Sequence, residues 1–266
     1  MVPSSVPFPT SHESLPAVIL AAGRGQRLQG GAKEGLKPLA FLLGLTLLER
    51  VTLACQEAGV TDCYVVVGYG KDQVIPHITE LARRFKMRLH AVDNAHWEEG
   101  NGTSALAAEP YLHGPFLLLM CDHIFDTAIL RCLIEAGRAS QACLLAVDHR
   151  VEQIFDRDDA TKVQLQDRAI TAIGKELMVF DAVDTGLFFC RSQIFAALKQ
   201  ARSQGDGSLT GGIQRLIATG DMCAVPIAHR FWLDIDTAES LAYARHMLLS
   251  CLRPQTSPIP LSDFTS

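Results

Sequence analysis

The 266-residue chain is poor in the features that would assign it at once. Its eight cysteines, at positions 55, 63, 121, 132, 143, 190, 223 and 251, include no Cys-x-x-Cys pair. Neither the clustered ligands of a zinc site nor a disulfide framework is present. Several lie in apolar runs, where a thiol behaves as a small hydrophobe, so they read as reduced packing residues of a cytoplasmic protein. No Lys/Arg-led apolar leader opens the chain, and no stretch approaches the ~18 apolar residues of a spanning helix. Cations are not in excess: 24 Lys and Arg face 29 Asp and Glu, a net charge of −5. That balance argues against a sequence-independent nucleic-acid binder, which needs surplus cations to displace phosphate counterions. It leaves room for a small anionic ligand, because a few placed Lys and Arg residues suffice for it. With 48% apolar and only 20% charged residues, the chain is globular rather than disordered or fibrous.

Internal repeats and mid-chain linkers are also missing, which points to one domain over residues 15–252. The Pro- and Ser-rich ends, 1–14 and 253–266, read as a disordered leader and a flexible tail. What the chain does contain is alternation. Strands are expected at Ala17–Ala22, Cys63–Gly68, Arg88–Val92, Phe116–Met120, Ala142–Val147 and Leu187–Cys190. Helices are expected at Thr46–Ala58, Lys71–Lys86, Gly102–Glu109, Asp126–Gly137, Ser192–Gln204, Leu209–Thr219 and Thr237–Leu252. Short apolar strands separated by helices give βαβ units, hence an α/β, Rossmann-like, doubly wound and mostly parallel sheet. Thr161–Gln166 and Ala169–Ile173 instead alternate around a turn at Asp167–Arg168. That pattern predicts a small antiparallel hairpin inserted over the ligand site.

The strongest local signal is Ala17-Val-Ile-Leu-Ala-Ala-Gly23-Arg-Gly25-Gln-Arg27-Leu28. A buried strand that runs into Gly-x-Gly leaves backbone N–H groups free in a concave turn, an anion nest. Arg27 adds a fork of donors for phosphate oxygens, and Lys37-Pro38 brings another cation ten residues on. The dinucleotide fingerprint lacks its third glycine, because Leu28 stands there, and a Walker A Gly-Lys-Ser/Thr is absent. Two further segments put carboxylates at strand ends: Phe116–Met120 leads into Cys121-Asp122-His123, and Phe231-Trp-Leu-Asp234-Ile-Asp236 carries two on one expected strand face. Asp122 and Asp236 would converge at the carboxyl edge of the sheet on a hard cation such as Mg²⁺. The alternative for each is a plain helix N-cap.

These motifs together, over about residues 16–252, resemble the sugar-nucleotidyltransferase superfamily. More narrowly, Glu99-Gly-Asn-Gly-Thr-Ser104, Met120–His123, Ala160–Lys162 with Ile173–Lys175, and Phe180–Gly186 resemble the CTP:inositol-1-phosphate cytidylyltransferases. Cytidylyltransferase domains acting on phosphonates look similar. The resemblance implies a nucleotide-diphospho-sugar transferase fold and transfer of CMP from CTP to a small phosphorylated or phosphonate acceptor. Leu20, Ala21, Ala22, Gly23, Arg24 and Gly25, with Glu99, Asn101, Gly102 and Thr103, would line the nucleotide site. Arg27 and Lys37 would be catalytic, neutralising the phosphates, and Asp122 and Asp236 would bind Mg²⁺. Lys162, Lys175, Asp184, Thr185 and Gly186 would hold the acceptor. A homodimer is compatible with this reading.

Residues 28–36 form a longer insert than this family usually has, so Lys33 competes with Lys37 for the phosphate role. The family often carries a membrane-embedded transferase domain downstream; ending soon after Leu252, this chain would leave its product to a separate protein, or serve a different pathway. His123 reads either as a substrate contact or as a structural neighbour of Asp122, and Trp97 as packing. Two other functions remain open: a hexose-1-phosphate nucleotidyltransferase using UTP or dTTP, and a catalytically inactive nucleotide-binding paralogue. Retention of Arg27, Lys37, Asp122 and Asp236 weighs against the latter.

Overall fold

The computed structural model describes residues 15–25, 28 and 36–252. The leader, the tail, Arg27 and Lys33 lie outside the described residues. After β1 (Ala17–Ala21) come a one-turn 3-10 helix (Lys37–Leu39) and a tight hairpin of β2 (Phe41–Leu42) and β3 (Leu45–Thr46). Then follow α1 (Leu47–Glu57), β4 (Asp62–Val67), α2 (Lys71–Phe85), β5 (Arg88–Asp93), α3 (Asn101–Ala107), β6 (Phe116–Met120), β7 (His123–Phe125), α4 (Thr127–Ala139) and β8 (Cys143–Asp148). The last third comprises β9 (Lys162–Gln166), β10 (Ala169–Gly174), β11 (Ala182–Cys190), α5 (Gln193–Ser203), α6 (Leu209–Ala218), β12 (Met222–Pro226), β13 (Trp232–Asp234) and α7 (Ala238–Leu252).

Nine strands form one sheet in the order β5-β4-β1-β6-β11-β8-β12-β10-β9. β5, β4, β1 and β6 run parallel, as do β8 and β12, while β11 runs antiparallel to both its neighbours β6 and β8. All five residues of β1 are buried, as an apolar strand covered on both faces must be. Alternate side chains split between two cores. Ala17, Ile19 and Ala21 pack with residues of α1, α2 and α4, while Val18 and Leu20 pack with α3, α5 and α6. The helices present matching stripes, such as Val74, Ile78 and Leu81 of α2, spaced by one helical turn. α1 starts at a complete capping box, in which Thr46 accepts from the Glu49 N–H and Glu49 accepts from the Thr46 N–H.

The mostly parallel doubly wound sheet is as expected, and three local differences matter. β12 was not expected; it is a short, mostly buried strand that pairs parallel with β8. The β9–β10 hairpin extends the sheet itself, β10 pairing with β12 and β9 with β11. β11 begins well before Leu187, but its register shifts between Asp184 and Phe188, so the polar Asp-Thr-Gly segment is carried within a buried strand.

Candidate active site

β6 delivers Asp122 to the carboxyl edge of the parallel strands, where open α/β sheets bind ligands. A second, two-stranded sheet completes the edge: β13 pairs antiparallel with β7, Asp234 opposite His123. The Ile235 N–H donates to Asp122 O at 2.9 Å. The strand ends at Asp234, so Asp234 and Asp236 do not share a strand face as expected; Asp236 lies in the turn beyond it. Both still face one point, because the turn wraps Lys37. The Lys37 ammonium is 2.5 Å from Asp122 Oδ2 and 3.9 Å from Asp234 Oδ1, and it donates to Asp236 Oδ1. The N-cap alternatives fail for both acids. Asp126 caps α4 through the Ala128 N–H, and Thr237 exchanges bonds with Ser240 at the start of α7.

Burial and charge oppose each other throughout this cluster. Lys37 is 7% exposed. Burial opposes its charge, but Asp122, Asp234 and Asp236 more than offset that and hold its pKa above the ordinary lysine value. Burial also pushes Asp122 upward, and here Lys37 and His123 prevail, holding the carboxyl well below the usual carboxylate range. His123, disfavoured as a cation by burial, is pushed up to about 9 by Asp234 and Asp122. Its Nδ1 donates to Asp122 Oδ1 at 2.9 Å, and its ring stacks on Trp232. For Asp234 burial wins: its carboxyl rises to about 7 despite His123 and Lys37. Asp234 Oδ1 is buried without a hydrogen bond. Ligand atoms of Asp122, His123 and Asp234 lie within 4.8 Å of one another.

This cluster floors a cavity of about 530 Å³, on whose walls the structure brings together Asn101, Asp122, Lys175, Asp184, Gly186 and Asp236. Burial raises the Asp184 carboxyl to about 6, against the Gly186 N–H that donates to it at 2.7 Å and the nearby His123 charge. Three expected acceptor residues carry other bonds, the Lys175 ammonium being paired with Asp159 on the cavity wall. Thr185 is fully buried and donates to Ala146 O at 2.8 Å. The Lys162 ammonium is turned onto the carbonyls of Lys175 and Asp158. Asp148 and Arg150, at the end of β8, were not anticipated. Asp148, 2% exposed, receives Arg150 Nε at 3.0 Å, Arg150 Nη2 at 2.8 Å and the Trp232 indole N–H at 2.8 Å. That fixes a guanidinium on the cavity wall whose Nη1 makes no hydrogen bond among the described residues. The Asp-x-Arg spacing after an apolar strand was its only sequence signal.

On the nucleotide side, β1 gives way to Gly23 and Gly25, and the Arg24 guanidinium lies over the rings of Tyr69 and Trp97. Asn101 lines the cavity and its Oδ1 accepts the Leu209 N–H at 2.8 Å, so the group it has left to offer is its NH₂. Glu99 is held by Arg202 and His96. Thr103 Oγ1 bonds Gly100 O at 2.7 Å, and Gly102 abuts the carbonyls of Ser208 and Gly207. The side chains of Glu99 and Thr103 therefore shape the α3–α6 corner instead of standing free, leaving Asn101 as the directed polar group there.

Residues 17–223 match the MobA-like NTP transferase domain. The chain belongs to that family. Among curated relatives, the bifunctional IPC transferase and DIPP synthase of Rubrobacter xylanophilus is 35% identical over 243 residues, covering 90% of this chain and 53% of that protein. The enzyme of the same name from Thermococcus kodakarensis is 34% identical, covering 88% and 50%. The chain thus spans about half the length of these relatives. The inositol-1-phosphate CTP transferase of T. maritima superposes with a TM-score of 0.78 at 23% identity, covering 92% of this chain and 98% of that one. A UDP-glucose pyrophosphorylase complexed with UDP-glucose gives 0.76 at 14% identity, covering 90% and 99%. This NTP-transferase fold therefore has the sheet topology of nucleotidyltransferases with different nucleotides. Among the described residues, no helix is long and apolar enough to cross a membrane.

Proposed function

We propose that the protein is a cytidylyltransferase that transfers CMP from CTP to inositol 1-phosphate, releasing pyrophosphate and forming CDP-inositol. The observation that carries this reading is the buried cluster of Lys37 with Asp122, Asp234 and Asp236 at the foot of a cavity large enough for a small ligand. The identity to enzymes named IPC transferase supports the choice of nucleotide and acceptor.

A resident divalent cation fits the residues present. Asp122, Asp234 and Asp236 offer hard oxygens, and the buried, unbonded Asp234 Oδ1 is a lone acceptor facing the cluster. Such a donor set suits Mg²⁺, which takes one or two carboxylates and completes its shell with water and substrate oxygens. When bound, the ion supplies charge neutralisation for phosphate oxygens.

The chain's own groups do the rest. The nest at Gly23–Gly25, with Arg27, holds the triphosphate, and the Asn101 amide presents donors to the base. Arg150 Nη1 and Lys175 offer donors to the acceptor's phosphate or hydroxyl oxygens, and Asp184 accepts from a hydroxyl. An oxygen of the acceptor phosphate attacks the α-phosphorus in line; the new P–O bond forms as the bond to pyrophosphate breaks. The phosphate oxygen is already a nucleophile, so no general base is required. Catalysis then consists of alignment and of charge stabilisation by Lys37 and Arg27. A cytoplasmic location accords with this reading.

The test is pyrophosphate release from each of the four NTPs with inositol 1-phosphate, glucose 1-phosphate and a phosphonate acceptor. Release with CTP and inositol 1-phosphate together, and with neither alone, is expected. Silence with every pair overturns the enzyme reading. Activity with a phosphonate but not inositol 1-phosphate overturns the acceptor.

A further inference from the structure

Lys37 occupies the space between the carboxylates that would hold a divalent ion. Its ammonium is 2.5 Å from Asp122 Oδ2, paired with Asp236 Oδ1 and 3.9 Å from Asp234 Oδ1. Its side chain is 8% exposed, so no water layer separates these charges. Two cations at bonding distance from the same oxygens repel strongly at short range. The ammonium and a divalent ion therefore cannot both hold this arrangement.

A second observation shows where the lysine can go. The aliphatic stem of Lys37 lies directly against the phosphate loop: a Cβ added at Gly25 would come within 2.5 Å of Lys37 Cβ and 3.1 Å of its Cδ. Gly25 also has φ +59, a conformation that side-chain-bearing residues avoid. The missing side chain lets the lysine stem and the loop touch. Lysine has a flexible four-carbon stem. Rotation about that stem would swing the ammonium from the carboxylates toward the loop.

We propose that Lys37 is an exchangeable internal cation: it neutralises Asp122 and Asp236 in the metal-free protein, and a divalent ion displaces it toward the phosphate loop, where it meets the nucleotide's phosphates. This rests on the cytidylyltransferase reading and its metal. It gives one side chain two positions, a counter-ion that keeps the empty carboxylates folded together and a phosphate ligand when the site is charged. It also makes metal binding weak without nucleotide, because the incoming ion must evict a cation that has nowhere favourable to go. With nucleotide present the evicted ammonium finds new partners, so the two ligands bind cooperatively through Lys37.

The experiment measures binding of Mn²⁺ alone to the nucleotide-free full chain by titration calorimetry, for wild type, Lys37→Met and Lys37→Gln. Removing the resident cation should tighten Mn²⁺ binding by about tenfold or more, equivalent to about 1.4 kcal/mol. Equal or weaker binding in a folded variant overturns the exchange. Should both variants fail to fold, wild-type protein is acetylated with an N-hydroxysuccinimide ester and Lys37 is followed by peptide mass mapping. Saturating Mg²⁺ should speed its modification, and an unchanged rate overturns the proposal. If Mn²⁺ binds wild type and variants equally, the exchange alone falls and the metal assignment stands. If Mn²⁺ binds none of them, both fall.

Discussion

Gly186→Ala tests how tightly the fold holds the site. Gly186 sits in the irregular part of β11 with φ +72, and an added Cβ would lie 2.6 Å from His123 Nε2, 2.7 Å from its Cδ2 and 3.1 Å from Met120 Cγ. Left-handed backbone costs an L-residue about 1–2 kcal/mol. The clash adds an overpacking cost of about 1–3 kcal/mol, because His123 is held by Asp122 on one side and Trp232 on the other. Together the loss of stability should be about 2–5 kcal/mol. The imidazole must retreat by the better part of an ångström, dragging Asp122 with it. Misplacement of about 1 Å costs about 100-fold in rate, so turnover should fall about 10- to 100-fold. Gly220→Ala is the control, since Gly220 has φ +75 but nothing within 4 Å of a new Cβ. That variant should lose only the backbone part and keep normal activity. Urea unfolding and pyrophosphate release on both proteins decide the matter. If Gly186→Ala loses no more stability than Gly220→Ala and turns over normally, the His123–Asp122 geometry does not govern the site.

Thr46→Ala removes the oxygen that caps α1 and contacts His77, and should cost about 1 kcal/mol with an unchanged denaturant slope; an unaltered urea midpoint would contradict the cap. Asp184, lifted by burial to about 6, is ionised above that pH and protonated below it. The KM for the acceptor should therefore rise as pH falls through about 6 more steeply than in Asp184→Asn, whose high KM keeps only the step of the acceptor phosphate's own ionisation. Parallel profiles would show that this carboxylate does not meet the acceptor. Arg150→Gln should raise the acceptor KM about tenfold with kcat and the CTP KM little changed, whereas an equal loss in kcat would make Arg150 a purely structural clamp.

The doubly wound sheet was legible because its strands are continuous apolar runs and its helices carry clear stripes and caps. The cluster was legible in part. Asp122 announced itself at the end of a five-residue apolar strand, and Lys37 by its distance from the glycine loop. Asp234 and Asp236 do not share a strand face, since the strand ends at Asp234, yet both acids reach the cluster because the turn folds back over Lys37. Period-two patterning cannot see such a turn. Nor could sequence show that Lys37 would bridge the acids, a contact across 199 residues with Asp236. Thr185 and Thr103 fit the motifs but spend their hydroxyls on backbone carbonyls, which depends on tertiary neighbours alone. Asp148 and Arg150 escape a sequence reading because an Asp-x-Arg after a strand is common, and the Trp232 indole of β13 with the Arg230 carbonyl just before it makes theirs a fixed arrangement.

The central claim is that Asp122, gathered with Lys37, Asp234 and Asp236, is the centre of the proposed nucleotidyl transfer. Turnover of Asp122→Asn with CTP and inositol 1-phosphate, beside a thermal melt of the same protein, tests it most directly. The predicted result is a fall of about 100- to 1,000-fold or more in a protein that still unfolds cooperatively, the scale expected for losing a major electrostatic group of the transition state. Near-normal turnover in that folded variant would contradict the account.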